Sequence, residues 1–170
     1  MAKIIMFMAQ SANAKIARKN GDEDFLSPRN WEEFKRIAEN IGVFAIGRKT
    51  YESVKNWEDK GFRDINSKRL VLSNRSDFSP EEGYTKVSSP VEAVEKVSDM
   101  GFEKLLITGG ATVNTSFVEE KMVNKIILNI EPYILGQGID LFDEKDFEEQ
   151  LKLDKVKKLD KGIIQIQYNL

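Results

Sequence analysis

Gly47-Arg48-Lys49-Thr50 and Gly109-Gly110-Ala111-Thr112-Val113 are the two stretches whose residue types and spacing could do chemistry. Each follows an apolar run, Phe44-Ala45-Ile46 in one case and Leu105-Leu106-Ile107-Thr108 in the other, and each leads into a helix-compatible segment. A strand that ends in glycine and opens a helix leaves free backbone N–H groups at the carboxyl edge of a sheet, where phosphates bind. Two such junctions, one with Arg48, Lys49 and Thr50 at its helix start, point to a nucleotide cofactor.

What the chain lacks narrows the chemistry. Its 170 residues include no cysteine and no histidine. Disulfides, thiolate catalysis, cysteine- or histidine-ligated metals and a Ser-His-Asp triad are therefore excluded, and no metal is expected. Carboxylates, amides, hydroxyls, lysine, backbone or a bound cofactor must do the work, which favours a cofactor enzyme. The net charge of −2 gives no bulk attraction to nucleic acid. No apolar run approaches the ~20 residues of a membrane span. Met1-Ala2-Lys3 leads straight into a strand-like segment rather than a signal peptide, so a cytoplasmic protein acting on a small molecule is expected.

The elements that must position these junctions alternate. Lys3 to Ala9 is apolar without alternation, as a central strand covered on both faces would be. Ser11 to Arg18 reads as a loop and Asn20-Gly21-Asp22 as a turn. Ser27-Pro28 starts a helix, with Ser27 as its cap, and Trp31, Phe34, Ile37, Ala38 and Ile41 form its apolar face before Gly42 ends it. Val43 to Ile46 is a strand, and the helix after Gly47 fades near Trp57. Asp59 to Ser67 reads as an exposed irregular loop, and Arg69 to Leu72 as a strand. Ser89-Pro90-Val91-Glu92 is a capping box opening a helix closed by Gly101. A strand from Lys104 to Thr108, a helix to about Glu120 and a strand from Lys125 to Glu131 follow. Leu151 to Leu159 and Ile163 to Leu170 flank Asp160-Lys161-Gly162, a hairpin signal. The acidic run from Asp143 to Glu149 reads as a solvated turn or short helix. The result is one α/β domain with a mostly parallel sheet, right-handed crossovers and antiparallel edge strands, long enough to bury ~70% of its unfolded surface.

In order and spacing, Ile46-Gly47-Arg48-Lys49-Thr50-Tyr51-Glu52-Ser53, Val71-Leu72-Ser73-Asn74 and Ile107-Thr108-Gly109-Gly110 resemble the dihydrofolate reductase superfamily, over nearly the whole chain. Two further stretches are similar to a sister branch, the reductase domain of riboflavin biosynthesis. Ser11 to Ala17 is similar to that branch's Ser-x-Asp-Gly-Lys-Ile-Ala, with Asn13 and Ala14 in place of the Asp-Gly. Pro132 to Phe142 is similar to its Pro-x-x-x-Gly-x-Gly-x-x-Leu-Phe. The resemblance implies a dihydrofolate-reductase-like three-layer fold over residues 1–170, as a monomer or a homodimer. It implies NADPH-dependent hydride transfer to a pteridine, with 7,8-dihydrofolate the leading substrate. The runner-up is a ribosylamino-pyrimidinone 5′-phosphate of riboflavin synthesis. A nucleotide-binding protein without turnover is the alternative from another class.

Residue by residue, the resemblance implies that Gly47, Arg48, Lys49 and Thr50 hold cofactor phosphates. Leu72, Ser73, Asn74 and Arg75 would grip the adenosine, with Arg75 and Arg48 suited to its 2′-phosphate. Gly109 and Gly110 would approach the pyrophosphate, often through a cis peptide, while Ala111, Thr112 and Val113 present helix amides. Ala9 and Ile16 would flank the nicotinamide. Phe34, Asn129 and Ser53 are expected at the substrate. The family's catalytic carboxylate falls on Asn30, an amide that cannot carry the charge stabilising a protonated ring. Glu33, Asp24 and Glu131 are the groups that could replace it. The family's arginine for the folate tail falls on Ser67, with Lys68, Arg69 and Arg63 nearby.

Overall fold

The computed structural model describes residues 1–55, 57 and 61–170. Its strands are β1 (Lys3–Ser11), β2 (Lys15–Ala17), β3 (Val43–Gly47), β4 (Lys68–Leu72), β5 (Thr85–Val87), β6 (Lys104–Ile107), β7 (Val123–Glu131), β8 (Ile139–Asp140), β9 (Lys152–Lys158) and β10 (Ile164–Asn169). Its α-helices are α1 (Pro28–Ile41), α2 (Arg48–Val54), α3 (Pro90–Asp99) and α4 (Ala111–Glu119).

Eight strands form one sheet in the order β5-β4-β3-β6-β1-β7-β10-β9. The first six run parallel. β10 then pairs antiparallel with β7, and β9 with β10, as the hairpin signal requires. Alternation along the central strands builds two cores. Met6 and Met8 of β1, Val43 and Ala45 of β3, and Leu105 and Ile107 of β6 pack with Val94 and Val97 of α3 and Phe117 of α4. Phe7, Phe44, Ile46 and Leu106 face the other way and pack with Phe34, Ile37 and Ala38 of α1. Both faces being covered is why these strands read as apolar runs.

α1 begins with Ser27 at the cap position and Pro28 inside the first turn, and ends at Gly42, whose φ of +88° is the left-handed conformation of a helix stop. The Ser27 hydroxyl makes no capping bond, contrary to expectation. Ser89 does cap α3, accepting from the Glu92 N–H, but the Glu92 carboxylate bonds Ser88 rather than completing the box on Ser89.

Three short features depart from the sequence reading, and the acidic run takes the first of its two expected forms. The stretch expected as a loop after Ser11 contains β2, which pairs with β8 to form a separate two-stranded sheet. β5 lies in a stretch without any apolar period. Within the expected loop from Asp59 to Ser67, Asp59 and Lys60 lie outside the described residues, and Gly61–Asp64 forms a 3-10 turn. The acidic run from Asp143 to Glu149 forms no helix. Among the described residues, no helix is long and apolar enough to cross a membrane.

Candidate active site

Because β1, β3, β4, β6 and β7 run parallel, Ser11, Gly47, Leu72, Ile107 and Glu131 all end on the same edge of the sheet. A cleft of about 610 Å³ opens there, between that edge, α1 and the segment following β2. Ala9, Ile16, Asn30, Phe34, Thr50 and Thr108 all line it. Phe34 packs against Phe7 with ring centroids 6.2 Å apart and meets Phe44 edge-on at 5.3 Å. Trp31 and Phe62 stack at 5.8 Å beside it, with Phe34 tilted 52° to Trp31, so one wall of the cleft is aromatic.

Behind Asn30, which alone of this group lines the cleft, runs a buried chain of amides; Asn129, expected at the substrate, and Glu131 lie in it and do not line the cleft. Gln165 and Asn129 are register partners across β10 and β7, and Ala9 and Asn129 across β1 and β7. Glu131 lies two residues beyond Asn129 and shares its face of the strand. Gln167 Nε2 donates to Gln165 Oε1 at 2.8 Å, and Gln165 Nε2 to Asn129 Oδ1 at 3.0 Å. Asn129 Nδ2 donates to Asn30 Oδ1 at 2.9 Å, and Asn30 Nδ2 donates to Glu131 Oε1. The amide donors therefore run in one direction and end on Glu131, with Gln165 Nε2 also 3.5 Å from Glu33 Oε2. The Ser27 N–H also donates to Glu131 Oε1, at 2.8 Å, so the β7 acid holds the positive end of α1 in place. Asn30, Glu33, Asn129, Glu131 and Gln165 are all buried.

Glu33 takes a different role. One turn from Asn30, its carboxylate meets Arg29 at 3.1 Å and Arg36 at 3.0 Å, with Gln165 Nε2 at 3.5 Å. Burial alone would raise this carboxyl, but the bond from Arg36 and the charges of Arg36 and Arg29 hold it below its ordinary range. Glu33 does not line the cleft. Asp24 does, but it is exposed and paired with Arg18 at 2.5 Å, which keeps it ionised. Glu23 also lines the cleft. Burial against the protein pushes its carboxyl up to about 7. The residue as a whole is exposed, so water in the open cleft offsets much of that penalty.

The second half of the edge is built by the two glycine junctions, which touch. Gly47 N–H donates to Gly109 O at 2.9 Å, so this amide is occupied by protein, contrary to the expectation that it would bind phosphate. The peptide between Gly109 and Gly110 is cis, as the resemblance implies. Gly109 has a φ of +82°, and a Cβ there would stand 3.0 Å from Met8 Cε, so glycine is required. Gly110 caps α4, leaving the N–H groups of Ala111, Thr112 and Val113 without helical partners. Thr50 stands over this junction, with Oγ1 3.4 Å from where a Gly110 Cβ would be.

Other expected residues lie further along or are already engaged. Lys49, Asn74 and Thr112 are exposed, Ser73 is buried and Leu72 half-buried. Ser53 does not line the cleft; its Oγ lies 3.9 Å from where a Gly21 Cβ would be. Arg48 forks onto Glu52, with Nη1 2.7 Å from both oxygens, and Arg75 onto Asp77 at 2.9 and 2.6 Å. The candidate residues for a folate tail do not reach the cleft. Ser67 donates to Ala38 O, Arg69 is held by the carbonyls of Phe62, Arg63 and Ile65, and Arg63 pairs with Glu81. Lys35 is the cation that lines the cleft among the described residues, and it was missed in the sequence. Gln165 was missed as well, although Gln165 and Gln167 form a polar row on a strand whose other face is Ile164, Ile166 and Tyr168.

A family model described as the RibD C-terminal domain matches residues 2–165. The Bacillus subtilis protein YwjB is 25% identical over 176 residues, covering 98% of this chain and 97% of its own. Dihydrofolate reductase HdrB of Haloferax volcanii is 31% identical over 116 residues, 66% of this chain and 58% of that protein. The solved structure of Acinetobacter baumannii RibD superposes with a TM-score of 0.78 at 19% identity, over 99% of this chain and 58% of that one, which establishes a shared fold.

Proposed function

The chain belongs to the RibD C-terminal domain family, a reductase domain, and from that premise we propose that it is an NADPH-dependent reductase of a pteridine ring, with 7,8-dihydrofolate as substrate. The observation that carries this is Asn30 on an aromatic-walled cleft with Glu131 hydrogen-bonded behind it. A flat heterocycle fits between Phe34 and the sheet edge with its hydrogen-bonding rim toward Asn30. When bound, the cofactor supplies the hydride. The free N–H groups of α4 and the hydroxyls of Thr50 and Thr108 suit its diphosphate and amide, and Ala9 and Ile16 would flank its nicotinamide.

The chain's own residues then orient the ring and favour its protonation. Asn129 fixes Asn30 Oδ1 and Glu131 fixes Asn30 Nδ2, so the amide cannot flip. The negative charge missing from position 30 sits one hydrogen bond behind it, on Glu131, where its field favours a proton on the ring nitrogen. Glu33 is held between two arginines of its own helix and takes no part at the ring. Lys35 at the cleft would receive the anionic tail of the substrate.

A second reading, reduction of a ribosylamino-pyrimidinone 5′-phosphate, is favoured by the family match across residues 2–165. The cleft lining carries Asp22, Glu23, Asp24 and Asp64 beside Lys35, a setting that opposes a phosphate and an anionic folate tail alike and so does not separate the two readings. Oxidation of NADPH by the purified protein with each substrate in turn separates the readings. Turnover of dihydrofolate above the pyrimidine supports the first, and the reverse order overturns it. Binding of NADPH without turnover of either would leave a nucleotide-binding protein.

A further inference from the structure

The two arginines nearest the glycine junctions are not free cations. Register pairs Gly47 of β3 with Leu72 of β4, so Arg48 and Arg75 leave the sheet from adjacent strand ends. Each is forked onto a carboxylate of its own segment, Arg48 onto Glu52 and Arg75 onto Asp77. The two pairs also feel each other. Asp77, held low first by its bond from Arg75, is lowered further by Arg48, and Arg75, raised first by Asp77, is raised further by Glu52.

Strand order shows what this corner would meet. The cleft lies at β1, the glycine junctions lie at β6 and β3, and Ser73 to Asp77 follows β4. A dinucleotide with its reactive ring in the cleft and its diphosphate over Gly109 and Gly110 must put its far ribose at β4. That path spans three strand spacings, about 14 Å. We propose that Asp77 is a specificity-determining residue that competes with a ribose phosphate for Arg75, so that the protein accepts a dinucleotide with an unmodified ribose as well as its 2′-phosphorylated form. This rests on the reading of the cleft as a nicotinamide site.

Both pairing modes are chemically complete. A 2′-phosphate takes the planar fork of Arg75 only by displacing the Asp77 carboxylate. A free 2′-hydroxyl needs an acceptor instead, and a carboxylate already in place supplies one. Arg75 and Asp77 have side chains 54% and 66% exposed, so the competing pair is weak and the discrimination it sets is correspondingly small.

Titration calorimetry of NADPH and NADH against the wild type and Asp77→Asn tests this. The wild type is expected to bind both. Asp77→Asn should raise the NADPH-to-NADH affinity ratio by about two- to five-fold, the scale of an exposed ion pair, and high salt should shrink the difference. A ratio that stays the same, or falls, overturns the role of Asp77. Failure of the folded wild type to bind either dinucleotide overturns the cofactor site itself, and the proposal with it.

Discussion

Asn30 and Glu131 divide between them what one carboxylate does in the family this chain resembles. By Coulomb's law, a charge moved from about 4 Å to about 7 Å at an effective dielectric near 20 falls from about 4 to about 2.4 kcal/mol. Half or more of the electrostatic help thus survives the move from position 30 to Glu131. Asn30→Asp would bring two carboxylates into hydrogen-bond contact, and they would share a proton. The pH–rate profile of that variant should gain an ionisation above the ordinary carboxylate range; a profile superimposable on the wild type would mean that the pair is not in contact. Two other acids give opposite stability signatures. Burial pushes Glu23 from 4.5 up toward about 7, a shift that water in the open cleft reduces, so the folded state binds more protons than the unfolded within that window and stability falls modestly as pH rises through it. Glu23→Gln should therefore melt higher than the wild type above pH 7 and match it near pH 4, by thermal denaturation. Glu33 is lowered, so its contribution is present above its ordinary value of 4.5 and is lost as pH falls through its folded one.

At the scale of elements, α1 is where stability and site meet, since it carries Asn30, Glu33, Phe34 and Lys35 and stops at Gly42. A Cβ on Gly42 would stand 2.6 Å from Phe102 Cε1, in a backbone conformation that L side chains resist. Gly42→Ala should cost about 1–3 kcal/mol in urea denaturation, and a neutral result would mean that Phe102 gives way freely. Elements with a strong period were legible from the residues alone. α1 and α3 announced themselves by apolar spacing and their proline starts, and β1, β3 and β6 by unbroken apolar runs. β2, β5 and β8 have two or three residues each, too few to show any period, and exist because a neighbouring strand offers a ladder. The site divided the same way. Gly109, Gly110, Asn30 and Phe34 are visible by type and spacing, whereas the Asn30–Glu131 bond joins residues 101 positions apart and needs the fold to exist. The counter-ions Glu52 and Asp77 stand four and two residues from their arginines, but which carboxylate each guanidinium meets is set by the folded backbone.

For the whole molecule, the parallel order of six strands brings both glycine junctions and the end of β7 to one edge, and the antiparallel β10 closes the site from behind by supplying Gln165. The reading therefore turns on whether Glu131, a residue of β7 outside the helix that faces the ring, governs protonation in the cleft. Glu131→Gln keeps an acceptor for the Ser27 N–H and the Asn30 amide, so the fold should hold while the charge is removed. The decisive measurement is kcat/KM for NADPH-dependent dihydrofolate reduction across a pH series, for the wild type and Glu131→Gln. The account predicts a loss of about 30-fold at neutral pH, the equivalent of about 2 kcal/mol, with activity recovering toward the wild-type value in acid where the substrate arrives protonated. Equal rates for the two proteins at every pH would contradict it.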